Sequence, residues 1–211
     1  MIVIPWQPAL NRDELDLMSN PVLANQPEVV PWQLYDTATI ANAAAGPFTF
    51  FTALNADKTL SNMEGPGQLP DPQYFILHYI AADFLQAPTA GDATTTNAMI
   101  ANVGNLIYTT RPNFTFNISN KRYGPFSLSM CHATGGITGF AAAEGATAAG
   151  YTTAVANNGV PGSGGFPFSG AVVIPPKIGF DVTVNLGAAA TLTANVLLRI
   201  SLVGALYRRV L

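Results

Sequence analysis

Ile178-Gly179-Phe180-Asp181-Val182-Thr183-Val184-Asn185-Leu186 decides the fold. Its five apolar residues fall on every second position. On a helix they would be spread round the whole circumference, whereas on a strand they form one stripe. Leu192, Ala194, Val196, Leu198, Ile200 and Leu202 repeat the pattern, broken by Leu197. The Gly187–Thr191 link between the two runs predicts a long antiparallel hairpin. Within it Leu198 and Ile200 belong to the core and Arg199 points away from it.

Working backward, Phe114-Thr115-Phe116-Asn117-Ile118 and Phe126-Ser127-Leu128-Ser129-Met130 alternate in the same way, and the short Asn120–Pro125 connection fits a hairpin. Phe48–Thr52 is aromatic and β-branched. Tyr74–Ile80 is apolar on both faces and reads as a buried strand that carries His78 on the face of Ile76 and Ile80. Leu106–Thr110 is a further strand candidate. Residues 134–170 are rich in Gly, Ala and Thr, with short strands expected near 137–140 or 151–155 and with 157–170 a loop. About eight strands, unequal loops and no long amphipathic helix indicate an all-β chain, an antiparallel β-sandwich of jelly-roll type.

Residues 1–36 read differently. Pro5, Pro8, Pro21, Pro27 and Pro31 are too many for a packed sheet, and Asn11 to Glu14 fits a capping box opening a short helix over 12–18. Ile4-Pro5-Trp6-Gln7 and Val30-Pro31-Trp32-Gln33 place both tryptophans in near-identical settings. The expectation is an extended arm over 1–36 and a β-domain over 37–211. Pro5, Trp6, Pro31 and Trp32 are then inter-subunit contacts, joined by Arg208 and Arg209 near the C-terminus.

Composition points the same way. Charged residues make up 10% of the 211 and hydrophobic ones 49%, where soluble domains average roughly 25% charged. A surface so poor in charge is one that neighbouring chains cover. A membrane is the other possible cover, but the longest apolar stretch, Leu186–Leu206, holds Arg199 near its middle and alternates as a strand does. Met1–Pro8 lacks the basic start of a secretory signal. Nine basic residues scattered along a chain of net charge −3 give no stripe for nucleic acid.

Catalytic chemistry finds little to work with. His78, Cys131 and His132 show no metal-ligand spacing. Cys131 and His132 are adjacent, and on a strand adjacent side chains diverge. Asp13, Glu14 and Asp16 suit the start of a helix. Asn113-Phe114-Thr115 and Asn117-Ile118-Ser119 match glycosylation sequons by chance in a strand. The reading is of a protein that is not an enzyme and takes no cofactor and no metal.

The run Leu34-Tyr35-Asp36-Thr37, Phe48–Phe51, Lys58–Glu64, Gly67-Gln68-Leu69-Pro70 and Tyr74–Ile80 resembles small single-jelly-roll virion proteins of bacteriophages, which coat or cement the capsid. The motif covers about a quarter of the chain. The resemblance implies a symmetric homo-oligomer, a trimer, that contacts the major capsid protein or neighbouring capsomers on the capsid surface after synthesis in the host cytoplasm. The absence of a long spine helix favours decoration over a shell-forming subunit. The alternatives are a receptor- or carbohydrate-binding β-sandwich module of a virion, or the shell-forming capsid subunit itself.

Overall fold

A computed structural model describes residues 27–85, 102–131, 137–138, 157–158 and 165–209. The described chain forms β1 (Pro27–Ile40), β2 (Phe48–Phe50), β3 (Tyr74–Leu85), β4 (Asn113–Ile118), β5 (Lys121–Ser127), β6 (Ile137–Thr138), β7 (Asn157–Asn158), β8 (Phe166–Ile174), β9 (Phe180–Asn185) and β10 (Val196–Arg209). Two four-stranded sheets, ordered β1-β10-β3-β8 and β2-β9-β4-β5, pack face to face, and β6 with β7 makes a two-stranded ladder. The strand ladders are antiparallel throughout. The chain is an all-β sandwich.

The alternating segments supply the core. Phe180, Val182 and Val184 of β9 are buried together with Phe114 and Phe116 of β4; facing them are Val196, Leu198, Ile200 and Leu202 of β10. Phe166 and Phe168 of β8 reach across to β4 and β5, and the Phe126 and Phe166 rings lie 4.3 Å apart between centroids. On the opposite side, the Phe51 N–H donates to Asp36 Oδ2 at 2.6 Å, tying the chain after β2 to β1.

Several expectations are corrected. The two strongest segments are not a hairpin: β9 pairs with β2 and β4, whereas β10 pairs with β1 and β3. The residues between them cross from one sheet to the other, with Ala190 N–H donating to Ala44 O and Leu192 N–H to Asn42 Oδ1. Leu106–Thr110 is not a strand, because a helical turn occupies Asn105–Thr109 with Leu106 as its buried residue. A five-residue apolar run does not distinguish the two periods. Phe166–Gly170, expected as loop, is the first half of β8; Pro167 and Gly170 disguise the alternation of Phe166 and Phe168. Strand β5 ends at Ser127, and a turn over Leu128–Met130 leaves Met130 exposed.

The expected boundary at residue 36 falls inside β1, whose residues 27–40 pair in unbroken register with β10. The prolines are accommodated by position. Gln33 O, Tyr35 N–H and Tyr35 O point away from β10, because all three bond to Asn62. Pro27 and Pro31 share that odd-numbered, outward set, so their missing N–H groups cost no ladder bond. The expected helix at 12–18 and strands at 151–155 lie outside the described residues.

A bulge in β3 sets the faces of the first sheet. Tyr79 pairs with Val203 and Leu77 with Gly204, leaving His78 as the extra residue. Before the bulge Phe75 and Leu77 enter the core; after it Ile80 and Ala82 do. Ile76 is therefore on the outer face, packed with Ala205 and Tyr207, and no longer on the face of Ile80. Gly204 is required here, since an added Cβ would lie 1.8 Å from Ile76 O.

Leu198 has no exposed surface, so Leu198→Ala should cost about 2–5 kcal/mol in chemical denaturation. Arg199, on the other face, donates to Thr37 Oγ1 at 3.2 Å and to Thr59 O. Its loss in Arg199→Ala should cost about 1–2 kcal/mol. Equal costs would contradict the assignment of faces.

Candidate functional site

The outer face of the β1-β10-β3 sheet gathers the chemically distinctive side chains. Period two puts Val29, Pro31, Gln33, Tyr35 and Thr37 of β1 on this face, next to Arg199, Ser201, Val203 and Ala205 of β10. The bulge adds Tyr79 and Asp83 from β3.

One end is polar. Arg199 stands opposite Thr37 on one side and Asp83 on the other. Its guanidinium lies 4.8 Å from the centre of the Tyr35 ring, a cation–π contact. Gln33 Nε2 donates to Ser201 Oγ at 2.7 Å. Residues 57–63 run along the open edge of β1 and stand in for a missing strand. Asn62 Nδ2 donates to Gln33 O at 2.7 Å, Tyr35 N–H donates to Asn62 Oδ1 at 2.8 Å, and Thr37 Oγ1 donates to Leu60 O at 2.7 Å. This closes half the edge that would otherwise offer itself to another chain.

The other end is a groove of about 720 Å³. Val203 and Ala205 of β10 form its floor, with His78 and Tyr79 on the β3 side and Val29, Pro31, Trp32 and Tyr35 on the β1 side. No Asp, Glu, Lys or Arg lines it. Trp32 is 42% exposed and stands at the margin between this groove and a smaller recess bordered by Glu64 and Arg208.

Burial sets the titration of the few ionisable groups nearby. It raises the Asp83 carboxyl above the ordinary aspartate value, with the charge of Arg199 acting in the opposite direction. It likewise raises the Tyr79 hydroxyl. Burial pushes the Cys131 thiol up to about 12, against a smaller opposing effect of a hydrogen bond with the Phe166 backbone. Such a thiol is not a nucleophile at neutral pH. Among the described residues no group of three or more His, Cys, Asp or Glu side chains is placed to hold a metal ion, and no helix is long and apolar enough to cross a membrane.

The residues singled out in sequence meet at one end of this sheet. Pro31 and Trp32 line the groove. Arg208 sits across from Glu28 and donates to its Oε2 at 2.6 Å, and Arg209 pairs with Pro27 in the ladder. The ladder sets residues 31–32 opposite 204–205 and residues 208–209 opposite 27–28. Of these, Trp32 and Arg208 border the smaller recess together, a proximity that sequence separation concealed. Pro5, Trp6 and His132 lie outside the described residues. Sequence reading missed Tyr35, Asn62, Tyr79 and Asp83. The period of β1 carried the signal for Tyr35, whereas Tyr79 reaches the groove through a bulge that no pattern announces.

No family model matches the chain, and the searches of curated proteins and of solved structures return no match.

Two measurements probe these environments. The folded-state pKa of Asp83 exceeds its unfolded value, so its stabilising contribution is present at low pH and lost as pH rises through the folded value. Asp83→Asn should therefore leave the protein as stable as the parent at pH 3 and more stable at pH 7 in urea titrations; a loss at pH 7 would show that attraction to Arg199 outweighs burial. Cys131 should resist iodoacetamide at pH 8 in the folded chain and react fully in denaturant, as mass spectrometry of the two samples would reveal.

Proposed function

We propose that this chain is a non-catalytic jelly-roll structural protein of a bacteriophage particle, one that coats or cements the capsid through contacts with its own copies and with neighbouring capsid subunits. The observation that carries this reading is the strand order. With the short β6–β7 ladder set aside, the eight remaining strands counted along the chain order as 1-8-3-6 in one sheet and 2-7-4-5 in the other. That order fits one antiparallel Greek key nested inside another and so supports the jelly-roll reading, an architecture used by viral capsid and lectin domains. The step from fold to role is an analogy, and two features of this chain support it. The chain has too few charges to clothe a lone molecule, and its outer sheet face carries an uncharged groove beside the half-open edge of β1. A trimer on the capsid surface, decorating rather than forming the shell, suits both.

Glycan or receptor binding is the second reading. It is favoured by one observation: Trp32 lines the groove with Tyr35 and Tyr79, and aromatic faces stack against sugar rings.

Purified particles from the natural source decide between them. The structural role predicts the chain in fixed stoichiometric copies, following the symmetry of the shell in electron cryomicroscopy. Absence from particles would overturn it. Retention of the chain on a glycan array with no place in the shell would support the second reading.

A further inference from the structure

The groove has an occupant written in the chain itself. We infer that it receives the Ile2–Pro8 segment of a second copy, so that copies of this protein are joined by exchange of their N-terminal arms. The inference rests on the reading of the chain as an assembling structural protein, and names the surface and the segment that would do the assembling.

Four observations converge. First, Pro5-Trp6-Gln7-Pro8 carries prolines three positions apart. Proline fixes its own φ and restricts the residue before it, which favours a polyproline II segment with three residues per turn. Segments of that kind dock in grooves lined by aromatic side chains, and Trp32, Tyr35 and Tyr79 line this one. Second, the partners match in charge. From Met1 to Asn11 there is no charged side chain, and none lines the groove, so docking leaves no buried charge unpaired. A polyproline II segment has no internal hydrogen bonds, and Tyr79, on the groove's face, brings a hydroxyl for one of its carbonyl oxygens. Third, the room is sufficient: about 720 Å³ lies within the usual range of about 300–1,000 Å³ for ligand pockets. Fourth, the described chain begins at Pro27, beside the groove, and the 19 residues from Pro8 to Pro27 span up to about 60 Å when extended. A neighbouring molecule is within reach. Exchange between copies, in which each gives one arm and receives one, covers apolar surface on both partners, as a chain with 10% charged residues requires.

The test uses the full chain. Gln7→Cys and Gln33→Cys are prepared separately, mixed and gently oxidised; Gln33 is exposed on β1, and the native Cys131 is buried. Disulfide-linked dimers of the two variants should form at least tenfold faster than dimers of Gln7→Cys with Thr49→Cys, whose cysteine lies on the exposed face of β2 in the other sheet. Trp6→Ala in the Gln7→Cys chain, or excess synthetic peptide of residues 1–11, should reduce that rate about tenfold. Equal rates for the two pairs would overturn the inference. So would a chain carrying both Gln7→Cys and Gln33→Cys that closes on itself while the mixed single variants give no dimer. Particles that hold the chain in stoichiometric copies without this cross-link would leave the proposed function standing and remove the arm exchange alone.

Discussion

The sandwich depends on β10. It is a 14-residue strand with a full-length partner on one side and β3 along most of the other. Its core face is wholly buried from Val196 to Leu202, and its outer face is buried at Ser201, Ala205 and Tyr207. Such a strand has no solvent to fall back on, so each backbone group needs its ladder partner. The long β1 and β3 are as long as they are because β10 must be covered along its length. The bulge at His78 and the bare Cα of Gly204 are the local adjustments that keep the pairing continuous where β3 and β10 fall out of step.

Covering β10 creates a new difficulty, since β1 becomes an edge strand of 14 residues. An edge that long and that apolar invites pairing with other chains. Over Gln33–Thr37 it is sealed by Asn62 and the carbonyl of Leu60, which occupy the outward backbone groups and the Thr37 hydroxyl. Towards Pro27 it is blunted by proline, whose ring removes the donor that another strand would need. The seal ends where the groove begins. The same stretch of β1 is therefore protected against indiscriminate β-pairing and still accessible to a partner that reads side chains.

Electrostatics on this face are sparse and local. Arg199 is held by Thr37, Thr59 and the Tyr35 ring, with Asp83 across the ladder. That cluster orders the 57–63 segment over the edge of β1 and leaves the neighbouring groove without charge. In a chain with 21 charged residues among 211, the position of each charge decides which surfaces remain open to apolar contact.

The sequence by itself determined the period. Phe180 to Val184 and Val196 to Leu202 can bury their apolar residues together only as strands, and both are strands with those residues in the core. It also determined that Leu198 and Ile200 face inward past Arg199. It did not determine partners. The hairpin read between β9 and β10 fails because adjacency in sequence is a weak guide to pairing when the intervening residues can cross from sheet to sheet. Pro27 and Pro31 looked incompatible with a sheet because proline's cost depends on which way its missing N–H would point, and only the register with β10 fixes that direction. Trp32 and Arg208 became neighbours, and Tyr79 joined the groove, through pairings between strands more than a hundred residues apart and a one-residue bulge. These are properties of tertiary register, which side-chain periodicity leaves free.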